Sequence, residues 1–132
     1  MQPMGSPDAR RFEGTWQLIP GRCSYEHTLP PREGTYRIAA TPEGLAFIID
    51  WVDARGSVEH NEFRLTWEGE VPASLELVDD STLNTTIERA EQVIAHASRR
   101  LSSDGSQMEI VQSAFTPDGQ PFVNRAWYQR KA

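Results

Sequence analysis

The chain has 132 residues, a length that suits one domain with its own hydrophobic core. Hydrophobic residues make up 38% of it and charged residues 24%, which excludes a disordered chain, and nine glycines with nine prolines indicate many turns. The net charge of −6 argues against nucleic acid as the main partner, because phosphate binding requires a basic patch.

The cysteine content and the N-terminus predict where the protein works. Cys23 is the single cysteine, so the chain cannot contain an intramolecular disulfide, which is typical of small secreted domains. No apolar run reaches the roughly 18 residues that a membrane span needs. Residues 1–10 lack the apolar segment of a signal peptide. We therefore expect a cytoplasmic protein with a flexible tail over 1–10 and a single domain over 11–132.

The first extended run, residues 11–19, carries Gly14 and Trp16. Glycine allows a close backbone approach, and tryptophan supplies a large plug whose N–H needs a partner. An arginine of the last strand, Arg130 or Arg125, is the expected cation over this indole. The following segment, 23–34, contains a double proline that forbids a regular helix, so we predict a loop across one mouth of the fold.

From residue 34 onward, extended runs alternate with turns. Asp-Gly at 104–105 and at 118–119, each flanked by extended runs, is a strong hairpin signal. Residues 88–100 are the one stretch where a helix is the alternative, because Ala, Glu, Gln and Arg dominate there. The predicted strands cover residues 35–40, 45–53, 57–67, 73–78, 81–88, 92–101, 107–116 and 121–130, with a break at 68–72.

About nine strands (within a range of 8 to 10), spaced roughly every 10–12 residues, predict an all-β fold. Consecutive hairpins favour an antiparallel up-and-down β-barrel, since a closed sheet leaves no exposed edge. A sandwich of two sheets is the alternative.

The two ends of the chain resemble the calycin group, which contains lipocalins and fatty-acid-binding proteins. The resemblance is carried by Gly14-Thr15-Trp16, by Tyr128-Gln129-Arg130 and by the hairpin sequence from Arg99 to Gly105. It is greatest to small bacterial lipocalin-like proteins. It implies a barrel in which Gly14, Trp16 and Arg130 close one end and the interior holds a small hydrophobic molecule.

The sequence departs from these families in several places. Pro20, Pro30 and Pro31 oppose the helix pair that follows the first strand of fatty-acid-binding proteins. Where those proteins use Arg-x-Tyr to hold a carboxylate, this chain has Arg125-Ala126-Trp127. The signal peptide and disulfide of secreted lipocalins and the glycine- and glutamate-rich motif of haem-binding relatives have no counterpart here.

The candidate ligand-binding residues are Tyr25 and His27 in the mouth loop, Trp51, and the pair Arg125 and Trp127. In the last strand, Arg125 shares a face with Trp127. A buried arginine must be paired or must bind an anion, so an inward Arg125 could hold the acidic head of an apolar ligand. An outward Arg125 would be solvated surface.

The sequence predicts no catalytic, metal or cofactor site. The row His60, Glu62 and Arg64 could line a polar interior, but its position opposite Phe63 and Leu65 favours an outer face. His27, His60 and His96 lack the spacing of zinc ligands.

Three functions follow from these observations. The first is a lipocalin-like binding protein for a small hydrophobic or amphipathic molecule. The second is an enzyme that uses the same cavity for proton transfer of the isomerase or hydratase type. The third is a solid barrel that acts through an outer face or as a homodimer.

Overall fold

The structure, a computed structural model, describes residues 8–67 and 73–131, so the predicted break at 68–72 lies outside the described residues. Within these ranges, two 3-10 helices flank the first strand, at Arg10–Phe12 and Pro20–Arg22. None of the described helices has the length and apolar character needed to cross a membrane. The strands are β1 (Gly14–Leu18), β2 (Ser24–Tyr25), β3 (Glu33–Ala40), β4 (Gly44–Val52), β5 (Val58–Thr66), β6 (Ala73–Asp79), β7 (Thr82–Arg89), β8 (Gln92–Leu101), β9 (Gln107–Phe115) and β10 (Pro121–Arg130).

The strands form one antiparallel sheet that curls into a nearly closed barrel. Their order is β5-β4-β3-β1-β10-β9-β8-β7-β6, and the short β2 pairs with β10. Since this path joins nine strands by antiparallel ladders, its two edge strands, β5 and β6, run in the same direction. They approach each other without a ladder between their described residues. The predicted all-β barrel is confirmed. The helix alternative for 88–100 is wrong, because β8 is laddered to both β7 and β9.

The start of the barrel differs from the expected strand over 11–19. A 3-10 turn at Arg10–Phe12 precedes β1, and it carries Phe12 into the core with no exposed surface. Ala9, placed by sequence in the flexible tail, is only 4% exposed and packs in the same cluster. Residues 1–7 of the predicted tail lie outside the described residues, so the flexible tail stays a prediction.

One end of the barrel is filled by Trp16, which is fully buried. Its indole N–H donates to the carbonyl of Phe12 at 2.9 Å, and the Arg130 guanidinium carbon lies 4.2 Å from the ring centroid. Arg130 also donates to the carbonyl of Glu13 at 2.7 Å. Gly14 has φ of +128°, and a Cβ there would come within 2.9 Å of Arg130 Nη1. Glycine at this position thus permits the arginine to reach the indole.

Alternation along each strand separates an inner from an outer face. On β8, Arg99 and Leu101 are buried while Arg100 is exposed. On β10, Ala126 and Tyr128 face the core. These inner faces meet at the closed end but leave space toward the other end, where the mouth loop lies.

Candidate functional site

A cavity of about 360 Å³ that is partly open to solvent lies in the barrel between β5, β7, β8 and β9. That volume falls within the usual range for small-molecule pockets, about 300–1,000 Å³. The space exists because β8 presents two alanines, Ala95 and Ala97, where larger side chains would fill the interior. The lining residues are Tyr36, Asn61, Phe63, Leu65, Thr85, Ile87, Ala95, His96, Ala97, Arg99, Ile110 and Gln112.

Arg99 is the cation at the deep end of this cavity, and it is only 2% exposed. Its Nε and Nη2 donate to the hydroxyl oxygen of Tyr36 at 3.0 and 2.7 Å, and its Nη1 donates to the hydroxyl oxygen of Thr85 at 3.1 Å. The guanidinium carbon lies 4.7 Å from the ring centroid of Phe47. These contacts fix the guanidinium in place, but they supply no negative charge.

The cluster of Arg99, Tyr36 and Thr85 has hydrogen-bond donors that their mutual hydrogen bonds do not use. A guanidinium has five N–H groups, and the bonds to Tyr36 and Thr85 use three of them, which leaves two. Both hydroxyl oxygens act as acceptors for Arg99, so each O–H remains able to donate. A carboxylate, which only accepts hydrogen bonds and has about four lone-pair sites, matches four such donors.

In the part of the chain that the structure describes, no ion pair involves Arg99, and the cavity lining contains no aspartate or glutamate. Burial raises the pKa of Tyr128 far above its ordinary value, with the neighbouring Tyr25 and Tyr36 adding to the effect, so this phenol supplies no negative charge. Among the residues that the structure describes, no carboxylate therefore compensates the positive charge of Arg99.

Three of the residues predicted to bind a ligand surround a second hollow, at the open end of the barrel. Tyr25, His27 and Trp51 line this hollow of about 550 Å³ together with the turn after β4. The loop between them is held by the Glu26 N–H, which donates to the side chain of Asn124 at 3.2 Å, and by the Glu26 carboxylate, which accepts from the backbone of β10. The structure thus brings Tyr25, His27 and Trp51 together at the mouth.

The other two predicted ligand residues lie elsewhere. Of the two orientations left open for Arg125, the structure has the outward one: its side chain is 56% exposed and lies 3.8 Å from Glu109. Trp127 shares that outer face, where the Arg22 guanidinium carbon lies 4.1 Å from the ring centroid. The physical reason is that Ala126 and Tyr128 occupy the inner face of β10.

His60 lies on the outer face of β5, as its pattern favoured. Its Nδ1 is 2.5 Å from Asp50 Oδ1, its Nε2 is 3.5 Å from Glu62, and the side chain is 53% exposed. The hydrogen bond with Asp50 raises the pKa of His60.

Burial raises the pKa of the Cys23 thiol, which opposes formation of the reactive thiolate.

Arg99 is the residue that sequence reasoning missed as a site residue. In the sequence, Arg99 was noted only as the first residue of the hairpin sequence that resembles calycins. A signal was present, since Ala95, Ala97, Arg99 and Leu101 alternate along one strand and Leu101 marks that face as inward. An arginine between small apolar residues on an inner face indicates a buried cation beside empty space.

Comparison with known proteins identifies the fold. No protein-family model matches the sequence, and no curated protein is significantly similar to it. Among solved structures, a point variant of the fluorescent protein UnaG superposes with a TM-score of 0.58 and 12% identity, over 93% of this chain and 98% of that one. The siderocalin Ex-FABP gives 0.57 and 14%, over 92% and 71%. Zebrafish ileal bile acid-binding protein complexed with cholic acid gives 0.50 and 14%, over 92% and 99%.

These neighbours are barrels of the fatty-acid-binding and lipocalin type. The resemblance to the calycin group is therefore confirmed as a shared fold. The particular likeness to bacterial members stays a prediction.

Proposed function

We propose that this protein binds a small, mainly hydrophobic molecule inside the barrel, with an acidic group of that molecule against Arg99. The observation that carries the proposal is a buried arginine whose hydrogen bonds to the described residues are made to the neutral hydroxyls of Tyr36 and Thr85. Burying a charge without a counter-ion is unfavourable, and an anionic ligand would remove that penalty.

The rest of the cavity suits the body of such a molecule. Phe63, Leu65, Ile87 and Ile110 present apolar surface around the space that Ala97 leaves open. Removing an apolar ligand surface from water contributes about 25 cal/mol per Å². A molecule with an acidic head and an apolar body would therefore be held by both parts of the cavity.

The names of two structural neighbours are consistent with this proposal. One is described as a siderocalin with dual ligand specificities, and the other is a bile acid-binding protein in complex with cholic acid. Both names refer to ligand binding, so the fold is compatible with such a function. The low identities carry no information on which molecule this chain would bind.

The mouth residues fit the role of an entrance. Tyr25, His27 and Trp51 line the hollow at the open end, and Leu29 at the centre of the loop is 74% exposed. A ligand would pass these side chains on its way to Arg99. Arg125 and Trp127, on the outer face, would then have no contact with it.

The two alternative functions have less support from the described residues. A solid barrel is disfavoured by the internal cavity. Proton-transfer catalysis needs a titratable acid or base at the substrate, but the cavity lining contains no carboxylate. Its one histidine, His96, shares a 3.0 Å hydrogen bond with Thr86. The cytoplasmic location and the homodimer stay predictions.

The proposal can be tested by NMR titration of the apo protein with a panel of hydrophobic carboxylates and their uncharged alcohol analogues. We expect saturable shifts at the Arg99 Nε–H and at amides of β7 and β8, with the carboxylate bound more tightly than its alcohol. Equal affinity of acid and alcohol, or shifts confined to the outer face, would contradict the role of Arg99.

Three variants complete the experiment. Arg99→Met should abolish the preference for the acid, whereas Arg100→Met changes an exposed arginine next to it and should have no effect. Arg125→Met tests the role first expected for that residue and should also leave binding unchanged. Ala97→Leu should fill the cavity and abolish binding of both acid and alcohol while the barrel remains folded.

A further inference from the structure

Tyr36 occupies one edge of the Arg99 guanidinium. Its hydroxyl oxygen accepts from Nε at 3.0 Å and from Nη2 at 2.7 Å, so a single oxygen atom lies in the fork between these two nitrogens. In a planar guanidinium, this fork is one of the two edges whose paired N–H groups match both oxygen atoms of a carboxylate. Tyr36 therefore closes the Nε–Nη2 edge to a ligand.

The edge between Nη1 and Nη2 is the one left for a ligand. Each of these atoms carries two N–H groups. On Nη2, one N–H points to Tyr36, so the other lies along the second edge, towards Nη1. Nη1 donates one of its N–H groups to Thr85 at 3.1 Å and keeps the other. An acceptor that reaches Arg99 therefore meets it on the Nη1–Nη2 edge, beside the hydroxyl of Thr85.

The phenol ring of Tyr36 is held in place by other aromatic rings. Tyr36 is 5% exposed, and its ring packs edge-on against Phe47 and Tyr128, with centroid distances of 6.3 and 5.5 Å. Phe47 is fully buried and also covers the guanidinium of Arg99. Because close packing opposes movement of this ring, the Tyr36 hydroxyl sets the direction of the guanidinium.

We infer that Tyr36 is a positioning residue, which binds the Nε–Nη2 edge of Arg99 and thereby keeps the Nη1–Nη2 edge ready for the acidic group of the ligand. This inference rests on the proposed function, because it takes an anion as the partner of Arg99. A long side chain that is already ordered in the apo protein does not have to be ordered by the ligand, and such preorganisation raises affinity. The hydrogen bond from Nε to Tyr36 persists when the anion is bound.

The first test measures by NMR how fast the Arg99 Nε–H exchanges with water, in the unsubstituted protein, in Tyr36→Phe and in Tyr128→Phe. Tyr128→Phe is the control, because it removes a second hydroxyl of the same aromatic cluster that accepts no hydrogen bond from Arg99 among the described residues. Exchange in the apo proteins should be about three- to tenfold faster in Tyr36→Phe than in the other two, as expected for one lost hydrogen bond. Octanoate should shift the Nε–H signal of the unsubstituted protein while its exchange stays slow. Equal exchange rates in the three apo proteins, or faster exchange on binding octanoate, would overturn the inference.

The second test compares the affinities of octanoate and octan-1-ol for the same three proteins by calorimetric titration. Phenylalanine keeps the ring of Tyr36 and vacates only the volume of one oxygen atom, so a carboxylate cannot take the freed edge. We expect Tyr36→Phe to bind octanoate about three- to tenfold more weakly, the cost of ordering one long side chain, and to bind octan-1-ol unchanged. Tyr128→Phe should bind both as the unsubstituted protein does.

The outcomes separate the positioning role from the function on which it rests. Unchanged or tighter binding of octanoate by Tyr36→Phe would overturn the positioning role and leave the proposed function intact. Equal weakening of octanoate and octan-1-ol would also overturn it, because damage to the cavity as a whole does not distinguish acid from alcohol. Absence of octanoate binding by the unsubstituted protein would overturn the proposed function itself.

Discussion

Replacing Arg99 by methionine is expected to separate stability from binding. We predict that Arg99→Met leaves the free energy of unfolding of the apo protein unchanged or raises it by up to about 2 kcal/mol. The same change should weaken carboxylate binding at least about thirtyfold, since hydrogen bonds to a charged group contribute about 2 kcal/mol.

The magnitude follows from the contacts of the guanidinium. Its burial costs several kcal/mol even after relaxation of the surroundings. Three hydrogen bonds to neutral hydroxyls stabilise the folded protein by about 1 kcal/mol each, and the desolvated cation–π contact with Phe47 by about 1–2 kcal/mol. These terms nearly cancel. Methionine has a similar length and is fully apolar, so the variant loses the favourable contacts together with the larger part of the penalty.

The assay is denaturant unfolding of apo Arg99→Met beside Arg100→Met, its exposed neighbour, for which we expect a change within about 0.5 kcal/mol. The ligand must be absent, because a ligand that binds only the folded state would stabilise the unsubstituted protein by mass action. A loss of more than about 2 kcal/mol in Arg99→Met would refute the reasoning. It would show that the guanidinium is a structural element of the barrel rather than a site kept for an anion.

Three further predictions concern other parts of the barrel. Arg130→Met should destabilise the protein by about 3 kcal/mol in denaturant unfolding, through loss of charged hydrogen bonds and a cation–π contact, and a change below about 1 kcal/mol would contradict that role. Ala90 and Glu91 both have positive φ in the β7–β8 turn, so Ala90→Asn with Glu91→Gly should raise the melting temperature, corresponding to about 1 kcal/mol; an unchanged melting temperature would count against backbone strain there. Asp50→Asn should lower the pKa of His60 in an NMR titration, because the carboxylate stabilises the protonated ring. With a raised folded-state pKa, the contribution of this pair to stability is fully present below the unfolded pKa of about 6.5 and is lost as pH rises through the folded pKa. A pKa of His60 that is the same in both proteins would show that Asp50 does not cause the shift.

The barrel could be predicted from the sequence because its signals are local. Alternation of apolar and polar residues has a period of two in strands, and the Asp-Gly turns at 104–105 and 118–119 separate the last strands. The 92–101 strand was ambiguous because its composition favours a helix. Its ladders with β7 and β9 decided the outcome, and such tertiary pairing outweighs a weak intrinsic preference.

The direction of Arg125 could not be predicted, because both faces of the last strand mix apolar and polar residues. Trp127 and Val123 mark one face as apolar, and Ala126 and Tyr128 mark the other. Which face turns inward depends on register, and a shift of one residue would reverse every side chain. The pairing of Tyr128 with Leu18 on β1 and with Met108 on β9 fixes it, and those partners are distant in sequence.

The contrast between two arginines supports the proposed role of Arg99. Arg130 at the closed end donates to the backbone carbonyls of Arg11, Glu13 and Gly105, which accept hydrogen bonds but have no hydrogen to donate. Among the described residues, Arg99 at the end of the cavity donates to two hydroxyls, each with a hydrogen left to donate. Both are covered by an aromatic ring, and Arg99 also lines the cavity. Each guanidinium makes three hydrogen bonds, but Arg130 is only partly buried and can donate its remaining N–H groups to water, whereas Arg99 is 2% exposed. Under the proposed function, the acceptor for the remaining donors of Arg99 is the acidic group of the ligand.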